Sequence, residues 1–169
     1  MRIMAVDYGD ARTGIAVSDV SAAIVGDAFV IHSKNAPETT RKIADEAISR
    51  NVSCVVVGHP KNMDGSRGRR AEKSEALAHS LRQIFDAALS PNGAAHAKNR
   101  ETAPTAAHSA GETKSTKDIE VKLWDERLTT KSANVILTNV GKYGRRRKNT
   151  VDAVAASLIL ESYLASRRF

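Results

Sequence analysis

Alternation and short runs of apolar residues predict five strands in this chain. Residues 3–6, 13–17 and 23–32 follow one another through short connections. Gly9 and Gly14 give the first connection the freedom to fold back as a hairpin, and Gly26 with Asp27 predicts a bulge in the third strand. A continuous apolar run at residues 52–57 and an alternating one at residues 119–123 predict two further strands.

Apolar positions that recur with a period near 3.6 residues predict helices between the later strands. Asn35, Ala36 and Pro37 start the first helix, with Pro37 suited to the first helical position. A polar loop at residues 61–70 leads into the second helix, which keeps this period over residues 77–88, and a third helix begins at Thr129 or Thr130 and stops at Gly141. Thr150 is predicted to cap the last helix, over residues 151–164, with Asp152 in its first turn. The apolar stripe of the first helix consists of Ile43, Ala44, Ala47 and Ile48.

Three strands in series, followed by an alternation of helix and strand, predict an α/β fold with a five-stranded mixed sheet that is flanked by helices. The length of 169 residues suits a single domain, residues 1–169. Between Leu89 and Ile119 no aliphatic residue is larger than alanine and there is no aromatic residue. We expect residues 90–117 to be a disordered insertion in this domain, since such a segment buries little apolar surface.

The amino-acid composition indicates the location of the protein and the class of partner that it binds. Cys54 is the only cysteine and lies in an apolar run, which predicts a small buried side chain and a reducing, cytoplasmic location. No apolar run approaches the roughly 20 residues of a membrane helix, so no membrane partner is expected. The formal net charge is +7, and the basic excess is clustered at residues 67–70, 142–148 and 167–168. These clusters favour a polyanionic partner over a merely solvated surface.

Acidic residues at the ends of predicted elements are the candidates for chemistry. Asp7 ends the first strand, Asp125 and Glu126 end the last one, and Asp152 lies near the start of the final helix. Carboxylates gathered by a sheet suit a hard divalent cation, which in turn activates water for phosphodiester cleavage.

Each acid also has a structural interpretation. Asp7 is able to bond turn amides, Asp125 or Glu126 is able to pair with Arg127, and Asp152 is able to cap its own helix. Spacing along the chain does not distinguish these interpretations.

Four segments in order, VDYGDARTGIAVSD, VVVGHPKNMDGSRGRRAEK, WDERLTT and TVDAVAASLILESYL, resemble the YqgF-like family of Holliday junction resolvases, also described as pre-16S rRNA nucleases. The resemblance implies a ribonuclease H-like fold and a nuclease that uses Mg²⁺ or Mn²⁺. It implies Asp7, Glu126 and Asp152 as catalytic residues and metal ligands, with Asp125 a weaker candidate.

The implied substrate is the 5′ end of pre-16S rRNA, with the small ribosomal subunit as a further expected partner. A DNA nuclease that resolves Holliday junctions and a non-catalytic RNA-binding factor are the alternatives, and an actin-like ATPase is a more remote one. The residues expected to hold or orient the nucleic acid are Arg12, Asn62, Arg67, Arg69, Arg70, Arg145, Arg146, Arg147 and Lys148.

The chain departs from the family pattern at two places. His59 stands where the family commonly has leucine, and we expect its imidazole to face solvent at the end of a strand rather than to contact substrate. The segment 90–117 is longer than the short connection that is usual in the family.

Overall fold

A computed structural model describes residues 1–60, 68–87, 119–125 and 145–167, with the backbone alone for residues 145–150. Five strands of the described residues form one sheet in the order β3-β2-β1-β4-β5. The β1–β2 and β2–β3 pairs are antiparallel, whereas β1–β4 and β4–β5 are parallel. The predicted five-stranded mixed sheet is confirmed. Its strands are β1 (Arg2–Tyr8), β2 (Arg12–Ser18), β3 (Val25–His32), β4 (Val52–His59) and β5 (Glu120–Asp125).

Three described helices cover the two faces of this sheet. Helices α1 (Ala36–Ser49) and α2 (Arg69–Ala87) pack on one face, and α3 (Arg145–Ser166) packs on the other. Alternation along β1 divides the core accordingly, because Met4 and Val6 face α1 and α2, whereas Ile3 and Ala5 face α3. Both faces of β1 and β4 are therefore buried, which explains why these strands are apolar nearly throughout.

Several local predictions are confirmed. Asn35 caps α1 by accepting a 3.0 Å hydrogen bond from the amide of Glu38, and Pro37 lies in the first turn. The register of β2 against β3 shifts between Val17 and Ser18, at the bulge predicted near Gly26. Cys54 is buried, and burial raises the pKa of its thiol, as is typical of a structural cysteine.

Two helix starts and two apolar positions were predicted wrongly. Helix α3 begins at Arg145, so Thr150 lies inside the helix and Asp152 stands about two turns from its start, not in its first turn. Helix α2 likewise begins at Arg69, within the predicted loop. Arginine and lysine favour helix, so basic runs extended both elements. Ile48 and Leu123 are exposed, although their spacing placed them on buried faces.

Some predictions lie outside the described residues. These are the insertion at residues 90–117, the helix between Thr129 and Gly141, and the loop at residues 61–67. Among the described helices, none has the length and apolar character needed to cross a bilayer.

Candidate active site

The parallel strands bring one candidate acid to an edge of the sheet. β1, β4 and β5 run in the same direction, so their carboxyl ends share that edge. Asp7 is the last but one residue of β1, and the alternation that turns Ile3 and Ala5 toward α3 also turns Asp7 toward α3. The side chain is held by a strand that is paired on both sides, which makes its position rigid.

Gly14 brings the second acid to the first. Gly14 is the register partner of Asp7 in the β1–β2 ladder. A Cβ atom on Gly14 would overlap the carbonyl oxygen of Asp152, so α3 touches β2 at this point. The role of Gly14 is thus to allow close approach of a helix, in addition to the turn for which its flexibility was predicted. Asp152 is consequently adjacent to Asp7.

Burial and the charge of Asp152 affect the ionisation of Asp7. The pKa of Asp7 is raised to about 6, first by burial and then by repulsion from Asp152, while Arg70 opposes the rise. Two ionised carboxylates that lie close together and are partly shielded from water are unfavourable unless a cation or protons neutralise them. This pair therefore fits the donor chemistry of a hard divalent cation.

Basic residues surround the pair of acids. The Nε atom of Arg12 donates a hydrogen bond to Oδ2 of Asp152 at 2.6 Å. Arg70, in the first turn of α2, lowers the pKa of Asp7 through its positive charge. Lys73 forms an ion pair with Asp10 in the β1–β2 turn. Lys73 holds the pKa of Asp10 below its usual range, and Arg69 and Arg70 add to this effect.

Lys73 was not among the predicted site residues. A signal for it existed, because residues three apart on a helix lie on the same side, as Arg70 and Lys73 do. The signal was lost when Arg70 was assigned to a loop.

His59 was predicted to face solvent, and this prediction was wrong. Only 5% of the residue is exposed, and its Nε2 atom lies 2.9 Å from Oε1 of Glu75 on α2. Alternation along β4 places His59 on the same face as Val55 and Val57, and α2 covers that face. Asp125 is the register partner of His59, so it shares this face, which is opposite to that of Asp7.

The remaining predicted site residues are not located by the structure. Glu126, Asn62 and Arg67 lie outside the described residues, and the side chains of residues 145–148 are likewise not described. Within the described ranges, no group of three or more histidine, cysteine, aspartate or glutamate side chains is placed to hold a metal. Asp7 and Asp152 are the two predicted ligands that the fold brings together.

The chain is similar to known proteins that are named as nucleases. The family model RuvX, described as Holliday junction resolvase, matches residues 1–91 and 89–166. A protein of Halothermothrix orenii named "Putative pre-16S rRNA nuclease" is 34% identical to this chain, over 97% of this chain's length and 94% of its own length. A protein of the same name from Acetivibrio thermocellus is 34% identical over 99% of this chain and 97% of its own.

Solved structures share the fold at low sequence identity. RuvC of Thermus thermophilus in complex with a Holliday junction substrate is 11% identical, covers 99% of this chain and 96% of its own, and has a TM-score of 0.55. The Fowlpox virus resolvase in complex with a Holliday junction is 12% identical over 99% of both chains, with a TM-score of 0.52. These similarities confirm the predicted ribonuclease H-like fold. By the family model and the whole-length identity to its relatives, the chain belongs to the RuvX family of Holliday junction resolvases.

Proposed function

We propose that this protein is a metal-dependent nuclease that hydrolyses phosphodiesters at the 5′ end of pre-16S rRNA. Membership of the RuvX family and the names of the relatives support a hydrolase that acts on nucleic-acid ester bonds. The observation that carries the site is the juxtaposition of Asp7 and Asp152 across Gly14, although 145 positions separate these acids in the chain (152 − 7).

Asp7 and Asp152 are the proposed ligands of Mg²⁺ or Mn²⁺ for which the structure gives a position. Their repulsion, which contributes to the raised pKa of Asp7, would be relieved by a divalent cation that both carboxylates hold. Such a cation would supply a Lewis acid and would lower the pKa of a bound water. Both carboxylates lie at the end of the sheet where β1 ends, close to the basic residues that would contact a phosphate. The paired strand β1 holds Asp7 rigidly in this position.

Glu126 is the proposed third ligand. β5 ends at Asp125, at the edge of the sheet that also carries Asp7. Asp125 lies on the face opposite to Asp7, which disfavours it as the acid that joins Asp7 and Asp152. We therefore keep Glu126, which follows Asp125 in the chain, as the proposed third ligand.

The basic rim is proposed to bind the nucleic-acid backbone. Arg12 pairs with Asp152, Arg70 lowers the pKa of Asp7, and Lys73 pairs with Asp10 in the adjacent β1–β2 turn, so these positive charges lie near the proposed metal site. Arginine suits this role because its planar fork of donors matches phosphate oxygens. Phosphate contacts position a substrate without reading its sequence. The proposal extends to Arg69, to Arg67 and Asn62, which lie outside the described residues, and to four residues whose side chains are not described. These four are Arg145, Arg146, Arg147 and Lys148, and Asn62 would orient the substrate.

The test compares two substrates and three metal conditions. The purified protein is incubated with precursor 16S rRNA and with a four-way DNA junction, in Mg²⁺, in Mn²⁺ and in EDTA. We expect cleavage of the RNA at the 5′ end of the mature sequence with either metal and none in EDTA. Preferred cleavage of the junction would replace the RNA assignment with that of a DNA resolvase.

Variants connect this activity to the site. Asp7→Asn and Asp152→Asn keep the size of each side chain and remove its charge, and both should abolish cleavage. Asp27→Asn is the control, since Asp27 is an exposed carboxylate that pairs with Arg50 and lies away from the acids of the site. Undiminished metal-dependent cleavage by Asp7→Asn would refute the proposed mechanism.

A further inference from the structure

The pair formed by Arg12 and Asp152 is an unusual feature for a proposed metal ligand. The guanidinium Nε donates to a carboxylate oxygen at 2.6 Å, which is a short, charge-assisted bond. A lone pair that accepts this bond is not available to a metal ion, and the positive guanidinium repels a divalent cation. The arginine and the metal therefore compete for the same carboxylate.

The two partners differ in their freedom to move. The backbone of Asp152 is pressed against Gly14, so its position is fixed by the packing of α3 on the sheet. Arg12 is the first residue of β2, directly after the turn, and 37% of its side chain is exposed. Its long side chain is able to leave Asp152 without any change in the sheet.

We propose that Arg12 is the counter-ion of Asp152 in the metal-free protein and that it moves to the phosphate of the substrate when the divalent cation binds. This inference rests on the proposed metal-dependent nuclease function. Arg12 is thereby a positioning residue with two successive partners, a carboxylate and a phosphate. The guanidinium suits both, since the two anions accept hydrogen bonds from its planar fork.

The inference predicts opposite effects of one substitution on two ligands. Arg12→Gln removes the competing cation, so the affinity for Mn²⁺ without nucleic acid should rise about two- to five-fold, as expected for a partly exposed ion pair. The same variant loses a phosphate contact, so its affinity for RNA should fall. A merely structural arginine would not move these two affinities in opposite directions.

Mn²⁺ affinity is measured by titration calorimetry and by the electron paramagnetic resonance of free Mn²⁺. Arg50→Gln is the matched control, because it breaks another partly exposed arginine pair, which Arg50 makes with Asp27 and Glu46. Arg69→Gln removes a positive charge from the same rim and should raise Mn²⁺ affinity less than about two-fold, since screened charges act weakly without a direct bond. Arg12→Lys keeps the charge and should bind Mn²⁺ nearly as the wild type does.

RNA affinity is measured by the fluorescence anisotropy of a labelled single-stranded RNA, in Ca²⁺ and in EDTA. We expect Arg12→Gln to weaken binding more in Ca²⁺, where Arg12 is released, than in EDTA, where it is held by Asp152. Thermal melts of each variant establish that it is folded, and Arg12→Met, which also removes the positive charge, is measured in its place if Arg12→Gln is not.

The outcomes separate this inference from the function on which it rests. Equal Mn²⁺ affinities of the wild type and Arg12→Gln, with metal-dependent cleavage intact in the wild type, would overturn the exchange of partners alone. A wild-type protein that neither binds Mn²⁺ nor cleaves RNA would overturn the proposed function and this inference with it.

Discussion

Replacing Asp7 by asparagine should make the metal-free protein more stable while it removes activity. Burial and repulsion from Asp152 raise the pKa of Asp7 to about 6, from 3.8 for a free side chain. The folded protein therefore retains a proton that the unfolded chain releases between these two values. Stability conferred by that proton is complete below pH 3.8, is lost as the pH rises, and is absent above about pH 6.

The size of the effect follows from the shift. About two pKa units correspond to about 3 kcal/mol of destabilisation by the ionised carboxylate at neutral pH. Asparagine carries no charge to desolvate and does not repel Asp152, but it also loses the attraction of Arg70. We therefore expect Asp7→Asn to raise the free energy of unfolding by about 1–3 kcal/mol at pH 7.5.

Urea denaturation without metal, at intervals from pH 4 to pH 7.5, measures this difference. The advantage of Asp7→Asn should be small near pH 4 and reach its full value above about pH 6. Addition of Mg²⁺ should stabilise the wild type and have little effect on the variant, because a ligand that binds only the folded state raises its stability.

Asp19 provides a control of opposite sign. Its carboxylate accepts hydrogen bonds from the hydroxyl of Ser21 and from the amides of Ile24, Ala23 and Ser21, which together hold its pKa below the usual range. Asp19→Asn should lower stability at neutral pH, and the difference should shrink in acid as the wild-type carboxylate is protonated. Our reasoning about the site would be refuted if metal-free Asp7→Asn were less stable than the wild type at pH 7.5, or if their difference did not change with pH.

Three further substitutions test the packing around the site. Gly14→Ala should destabilise the protein by more than about 2 kcal/mol and abolish cleavage, because the added methyl group overlaps the carbonyl of Asp152. Gly26→Ala should cost less, because its Cβ would lie 3.3 Å from the Asp19 amide nitrogen and only a small shift is needed; thermal melts and RNA cleavage measure both. His59→Ala should cost about 1–3 kcal/mol in urea denaturation, through a cavity and a lost hydrogen bond, and a cost near zero would show that the buried imidazole contributes nothing. Arg70→Gln should raise the pKa of Asp7 further and weaken RNA binding, as measured by NMR titration and anisotropy; an unchanged pKa would contradict the electrostatic influence of Arg70 on Asp7.

Periodicity alone was sufficient to predict most of the fold. Strands with two buried faces are continuous apolar runs, and helices that pack on them show one apolar stripe, so the pattern of residues 3–6 and 52–57 already implies a covered central sheet. The positions of Ile48 and Leu123 were not determined by their period, because burial depends on which neighbour covers a side chain. The helix starts at Arg69 and Arg145 were missed since helix propensity within basic runs is a weak signal.

The sequence by itself determined which acids are candidates, but only the tertiary structure decided which of them meet. Asp7 is recognisable because a carboxylate at the end of a buried strand needs a partner. The contact of α3 with Gly14 makes Asp152 the neighbour of Asp7. The same contact allows Arg12 to form a hydrogen bond with Asp152, although 140 positions separate these two residues in the chain. The physical reason is that electrostatic interactions act over a few ångströms of space, and the distance between two side chains is set by the packing of the elements that carry them.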